Sequence, residues 1–361
     1  MKRSTGLSLC LAIAIFLAAC HLPTAQLPLP LPPLPVTPIP AETHPIAGPL
    51  SPFAAVRLMR RGVNMGNTLE APNEGEWGFI ISAEHFRLIK AAGFDAVRIP
   101  TRWSAHALAV APYTIDPAFF ARLDEVIGWA LEQGLIVVLN IHHYEEMASA
   151  PSSHEPRFLA LWQQIAEHYQ EYPPTLIFEL MNEPNTAMTA SLWNRFVAKG
   201  VSVIRASNPD RNIIIGGVDW NSWYQLPNLQ LPPDDGHLIA TFHYYLPFHF
   251  THQGAEWVGE EANRWLGTTW DAKETEKAEV QAHFDRVAAW ADQHNVSVYL
   301  GEFGAYEKAD LASRVRWTAY VREQAEAHGF AWSYWEFGAG FGIYDRSRQQ
   351  WREELLRALL P

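Results

Sequence analysis

The sequence predicts a single (β/α)8 barrel, a TIM-type α/β fold in which eight parallel strands close into a ring. Three observations predict it. Eight short apolar runs alternate with long amphipathic stretches from Arg60 onward. The body that carries them, residues 53–361, has 309 residues, room for eight strand–helix units and one shared core. Polar and aromatic residues collect at the C-terminal ends of the runs, where a barrel of this kind carries its site. A doubly wound sheet is the alternative, but no Gly-rich phosphate loop follows the first strand.

The elements follow in chain order. Lys2 and Arg3 precede an apolar run, Leu7–Ala19, of 13 residues, too short to span a bilayer comfortably. It ends in Leu17-Ala18-Ala19-Cys20, which resembles the lipobox of bacterial lipoproteins. Residues 1–19 therefore read as a lipoprotein signal peptide and Cys20 as the lipidated residue, with an ordinary secretory signal as the competing reading. His21 follows Cys20 where an aspartate commonly retains lipoproteins in the inner membrane, which favours the outer membrane or cell surface. Residues 20–52 form a tether: positions 22–52 hold 11 prolines and almost no charge, incompatible with a helix or a central strand. As polyproline II, at ~3.1 Å per residue, such a spacer reaches roughly 90 Å.

The eight strand runs are Arg61–Gly66, Phe94–Ile99, Leu135–His142, Thr175–Met181, Arg211–Gly216, Leu238–His243, Ser297–Gly301 and Phe330–Trp335. Helical patterns between them include Pro117–Gln133, Glu155–Glu171, Ser191–Ser207, Lys273–His294 and Leu311–His328. Asp116 is placed to cap a helix that opens on Pro117, and Gly93, Gly134 and Gly329 stand where helices should stop. No segment carries a hairpin signature.

The strand ends hold the chemistry. They offer Asn64, Asn67 and Glu70; Arg98-Ile99-Pro100; His142-His143-Tyr144; Asn182-Glu183-Pro184; His243-Tyr244-Tyr245; Gly301-Glu302-Phe303-Gly304; and Trp335-Glu336. Residues two apart on a strand share a face. On that rule Val298, Leu300 and Glu302 face one way, as do Thr241, His243 and Tyr245, Ser333 and Trp335, and Asn140 and His142. If these faces point inward, Glu183 and Glu302 converge over the barrel axis. Two carboxylic acids across one cleft are what glycosidic cleavage needs: one protonates the leaving oxygen, the other attacks the anomeric carbon or activates water. Arg98 beside one acid would keep it ionised, and burial would raise the other. Glu179 shares the inward face but sits four residues earlier, ~13 Å down a strand. It is expected to be a structural acid near the barrel bottom, paired with a base.

Together, Val97-Arg98-Ile99-Pro100, Ile141-His142-His143-Tyr144, Asn182-Glu183-Pro184, His243-Tyr244-Tyr245, Gly301-Glu302-Phe303-Gly304 and Trp335-Glu336 resemble the ordered motifs of glycoside hydrolase family 5, the cellulase family. The resemblance covers about 58–361. The segments Asn67–Gly75 and Phe250–Trp257 further resemble its thermophilic-type endo-β-1,4-glucanases, some of which also cleave β-mannan. It implies a retaining enzyme with Glu183 as general acid/base and Glu302 as nucleophile. Asn182 would bond the sugar 2-hydroxyl, Arg98 and Tyr245 would hold Glu302, His142 and His243 would complete the polar shell, and Trp335 would be the stacking platform. Asn67, Glu70, His143, His252 and Trp257 are candidates for more distant sugar contacts, the last two in a long connection, 244–272. The abundance of tryptophan, 15 residues, suits a cleft lined with flat apolar faces.

Other classes fit less well. The net charge of −12 and the absence of a basic stripe argue against nucleic acid. The two cysteines, Cys10 and Cys20, both lie in the leader, excluding a disulfide framework or thiol chemistry in the body. His142, His143, Glu145 and Glu146, and His243, His249 and His252, are dense in possible ligands, but no His-Glu-x-x-His motif is present. No Gly-x-Ser-x-Gly elbow exists, and the glycines of Gly338–Gly342 precede no helix cradle. An inactive carbohydrate-binding barrel would be expected to lack one of the two acids. The expectation is a monomer without cofactor or metal, acting on β-glucan, meeting the membrane only through its lipid.

Overall fold

The computed structural model describes residues 48–361, so the expected signal peptide, the expected lipidation site Cys20 and nearly all of the expected tether lie outside the described residues. Eight parallel strands close into a barrel in sequence order. They are β1 (Arg61–Asn64), β2 (Ala96–Ile99), β3 (Ile136–Asn140), β4 (Leu176–Glu179), β5 (Ile213–Gly216), β6 (Leu238–Tyr244), β7 (Ser297–Phe303) and β8 (Ala331–Tyr334). The ring closes where Arg61 pairs with Trp332 and Val63 with Tyr334.

Side-chain alternation sorts each strand between two cores. Ala96, Ile136, Val138, Ile177, Ile214, Ile239, Tyr299 and Ala331 fill the barrel interior. Helix Pro52–Met59, capped by Ser51 with proline in its first turn, plugs that interior through Ala55, Val56 and Met59. Val97, Val137, Phe178, Leu300 and Trp332 belong to the larger core outside the ring. The long helices Pro117–Glu132, Pro151–His168, Ala190–Arg205, Glu274–His294 and Leu311–Ala327 supply its other side. Asp116 accepts from Ala118 N at 2.8 Å, and Gly93, Gly134 and Gly329 end their helices with φ of 106°, 67° and 71°.

Three local expectations fail. β4 stops at Glu179, so Glu183 lies in the loop beyond it with a left-handed φ of 47°. The two-residue alternation of Val298, Leu300 and Glu302 is broken: Val298 and Leu300 belong to the outer core, and the β6–β7 register shifts so that His243 pairs with Glu302 where Phe242 pairs with Leu300. Gly301 is the extra residue of this bulge, which turns Glu302 to the inside. A Cβ on it would stand 2.8 Å from Nε2 of His243 and 3.0 Å from Oγ1 of Thr241. Asn64 Nδ2 donates to Gly301 O at 3.0 Å and holds the bulge in place. Finally, a small antiparallel hairpin, β9 (Tyr344–Asp345) with β10 (Gln350–Trp351), follows β8. Its connecting turn accepts on Asp345 Oδ1 rather than using an Asn-Gly or Asp-Gly pair, so no standard hairpin cue marks it.

Candidate active site

Arg98 organises the floor. It is wholly buried on β2 and all five of its N–H donors have acceptors. Nη1 donates to Asn64 Oδ1 at 2.8 Å and to Glu302 Oε1 at 2.6 Å; Nη2 donates to Asn182 Oδ1 at 2.7 Å. Nε and Nη2 donate to the two oxygens of Glu179 at 2.5 and 2.9 Å. Glu179 is therefore the base-paired structural acid expected, but its depth differs. It sits at the top end of β4, one guanidinium away from Glu302, because the strand ends there and the next four residues fold over the rim.

Glu302 accepts a second bond, from the hydroxyl of Tyr245 to Oε2 at 2.9 Å. Burial pushes its carboxyl above the ordinary value, opposed by His243 and Arg98. Burial and the adjoining Glu302 carry the Tyr245 hydroxyl well above its usual range, so it stays a donor. Glu183 has neither donor. Its one side-chain partner is Nδ1 of His243, at 2.7 Å from Oε1. Burial raises it to about 8, against the pull of Arg98 and with a push from Glu179. Burial lowers His243 to about 4, so that ring is neutral. The two carboxylates thus differ by their hydrogen bonds: Arg98 and Tyr245 favour the anion of Glu302, while Glu183 has no cation in contact and burial favours its protonated form.

Oxygens of Glu183 and Glu302 and a nitrogen of His243 lie within 4.8 Å of one another. This is the only such trio of possible metal ligands among the described residues. The donor set does not suit a resident cation: His243 Nδ1 is engaged with Glu183, and both Glu302 oxygens hold Arg98 and Tyr245. Neither sequence-dense His/Glu cluster converges; His143 packs edge-on to His142, and His249 stacks on Trp265.

Above this floor lies a cleft of about 970 Å³. Asn67, Glu70, His142, His143, Asn182, Glu183, His243, Tyr245, His252, Trp257, Glu302 and Trp335 all line it. His142 stacks on Trp335 with planes 9° apart, and Asn140 Nδ2 meets its Nδ1 at 3.1 Å. Burial holds His142 well below the usual range and lowers His143 to about 4 and His252 to about 3, so all three act as neutral groups. Asn182 spends its oxygen on Arg98, leaving its N–H groups for a ligand. Glu70 is turned to the protein instead: its carboxylate accepts from the N–H groups of Asn67 and Thr68, and burial raises it to about 8. His252 stacks on Phe248, and Trp257 stands 60% exposed at the cleft wall.

The sequence reading missed several lining residues. Trp77 and Trp220, 40% and 54% exposed, present flat faces to the cleft, and Tyr224 adds a third. They fall in loops without periodicity, where only the large number of tryptophans hinted at them. A smaller recess of about 230 Å³ continues past Glu183, between Met147, Met188, Asn185 and Trp220.

A closed barrel with two acids over one cleft, one bonded to Arg98 and Tyr245 and the other raised by burial, defines the class of enzymes that cleave glycosidic bonds with paired carboxylates. Residues 61–340 match the family described as "Cellulase (glycosyl hydrolase family 5)", and the chain belongs to that family. Among curated relatives it is 40% identical to "Endoglucanase H" of Acetivibrio thermocellus over 326 residues, 88% of this chain but only 35% of that protein. It thus spans about a third of that relative's length. "Endoglucanase B" of Clostridium cellulovorans is 30% identical over 325 residues, 82% of this chain and 72% of the relative. The solved structure of endoglucanase Cel5A from Thermotoga maritima superposes with a TM-score of 0.84 at 48% identity, covering 86% of this chain and 99% of that one. The same enzyme is solved with mannotriose, where identity is 47% and coverage 85% and 99%.

Proposed function

We propose that this protein is an endo-acting β-1,4-glucanase that retains anomeric configuration. The observation that carries the reading is the pair Glu183 and Glu302, with oxygens within 4.8 Å, in a family 5 barrel. That proximity suits the ~5–5.5 Å separation of retaining enzymes better than the ~6.5–9.5 Å at which inverting enzymes seat a water between their acids. Glu302 attacks the anomeric carbon while Glu183 gives its proton to the leaving oxygen. Glu183, now ionised, takes a proton from water, which attacks the glycosyl ester and frees Glu302. Asn182 presents N–H groups to the sugar beside the nucleophile, and Trp335 with His142 forms the platform under it. Neither step needs a cofactor.

The location of the protein is part of the same proposal. Cys20 carries lipid, residues 20–52 hold the barrel away from the membrane, and the barrel works as a monomer on β-glucan outside it. A second reading, a mannanase or dual-specificity enzyme, is favoured by the mannotriose complex of the Thermotoga relative. Glucose and mannose differ only in the orientation of the 2-hydroxyl. Hydrolysis of carboxymethyl-cellulose, mixed-linkage β-glucan, xyloglucan and glucomannan, with product lengths and anomeric configuration followed by NMR, tests both. Glucan cleavage with a β-configured first product is expected; an α-configured product would refute the mechanism. Labelling with radioactive palmitate, lost in Cys20→Ala, tests the anchor.

A further inference from the structure

The crossover from β5 to β6 has no long helix. Instead, Gly216 and Gly217 lead into Asp219, Trp220 and Asn221, with φ of 54°, 57° and 54°. Left-handed conformations are strained for residues with side chains and gather where the chain must hold something in place. What this turn delivers is Asn221, fully buried. Its Nδ2 lies 3.4 Å from Nε2 of His243. Its Oδ1 is buried without a partner and occupies the space a side chain on Gly216 would need, 2.3 Å from where a Cβ would stand. Ser222 bridges to the backbone of His243, and Trp220 N–H donates to Pro184 O at 3.4 Å, beside Glu183. The turn touches His243 and the loop of Glu183, yet the two-carboxylate chemistry above makes no use of it.

We infer that Asn221 is a positioning residue for the acid/base, acting through the tautomer of His243. This rests on reading Glu183 as that acid/base. With Nε2 accepting from Asn221, the ring proton sits on Nδ1 and points at Glu183 Oε1, 2.7 Å away. While Glu183 is protonated, this N–H binds one oxygen and leaves the proton on the other, free for the leaving group. Once the proton is given, the same N–H stabilises the carboxylate until water is deprotonated. In the opposite tautomer, Nδ1 would accept the Glu183 proton and withdraw it from the glycosidic oxygen. The other charged groups facing this pair are Glu302, Glu179 and Arg98; none of them contacts Nε2.

Two variants isolate the effect. Asn221→Gly tolerates the left-handed backbone and removes the amide. Asn221→Asp keeps the shape but has no N–H and favours the opposite tautomer. Each is compared with wild type and Glu183→Gln by kcat/KM on cellotetraose, whose leaving group needs a proton, and on 2,4-dinitrophenyl β-cellobioside, whose leaving group does not. Both Asn221 variants should lose roughly 10- to 100-fold on cellotetraose, part of the 10²–10⁴ of general acid catalysis, and keep the wild-type value on the aryl glycoside. Their alkaline limb on cellotetraose should move up, because ionised Glu183 loses its donor. Equal losses on both substrates, or an unmoved limb, overturn the inference. A Glu183→Gln enzyme without the substrate split overturns the reading of Glu183 as well; the split in Glu183→Gln but not in the Asn221 variants overturns this inference alone.

Discussion

Tyr245→Phe removes a single hydroxyl from the site, and its effect follows from the bond it made. The hydroxyl donates to Glu302 Oε2 at 2.9 Å, while Arg98 holds Oε1 at 2.6 Å. The phenylalanine ring keeps the edge contacts with His252 and Phe341, with centroids 5.0 and 6.1 Å away, so the fold is unaffected. A hydrogen bond to a charged acceptor contributes about 1.5–3 kcal/mol, and 1.36 kcal/mol is one pKa unit, so Glu302 should rise by about 1–2 units. The sign is fixed by which state the donor prefers. The hydroxyl stabilises the carboxylate, so its loss favours the protonated form, which cannot attack the anomeric carbon. Burial already holds Glu302 above its ordinary value, and this change adds to that displacement. The assay is the pH dependence of kcat/KM on a soluble β-glucan, which reports the free enzyme. The acidic limb should move up by about 1–2 units with the alkaline limb unmoved. An acidic limb that stays in place or moves down would refute the assignment of Tyr245 as the donor that keeps the nucleophile ionised.

Other perturbations have equally definite outcomes. Glu302→Gln and Glu183→Gln should each lower turnover on β-glucan by at least about 10²–10⁴, with unchanged circular dichroism; a wild-type rate in either removes that residue from the mechanism. Glu183→Gln should also change the pH dependence of stability. Glu183 ionises near 4.5 when unfolded and at about 8 when folded, so the native state binds the extra proton between those values and its stability falls as pH rises through that window. The variant lacks this loss, and its Tm should gain on wild type from pH 5 to pH 8; parallel curves would show that burial does not raise Glu183. Gly301→Ala places a Cβ 2.8 Å from His243 Nε2, so it should cost about 1–3 kcal/mol of stability by thermal melt and displace the imidazole from Glu183, lowering turnover. A variant as stable and active as wild type would mean the bulge has slack that the geometry does not show.

The barrel was legible because strand and helix runs alternate in the sequence with their own periods, and most strand bounds fall within two residues of the expected ones. The convergence of Glu183 and Glu302 was legible from their places at strand ends. Its cause was not. Strict alternation fails at Gly301, since a bulge depends on which neighbour the strand pairs with, a tertiary fact. The same holds for Glu179: counting residues along a straight strand put it deep in the barrel, whereas β4 ends at it and the chain turns over the rim. Trp77, Trp220 and Asn221 were illegible for a third reason. They lie in loops, where nothing in the local pattern separates a residue aimed into a cleft from one left in solvent.

The charges at the floor explain how one acid serves two opposite roles. Arg98 is a single cation set between two carboxylates, Glu179 on one side and Glu302 on the other. Together these three leave one net negative charge, and His243 is neutral. Ionising Glu183 would add a second negative charge to the same buried volume; burial and Glu179 raise Glu183, and an ionised Glu183 would in turn raise Glu302. Glu183 therefore keeps its proton while Glu302 is an anion. Attack on the sugar converts Glu302 to a neutral ester. One of the site's negative charges is then gone, while the attraction of Arg98 for Glu183 remains. Glu183 can then ionise with the site again at one net negative charge, and in that state it is the base the second step needs. No side chain has to move for acid to become base, because forming the glycosyl ester itself changes the field. The rigidity of Arg98, with every donor engaged, is what keeps that change from being absorbed by rearrangement.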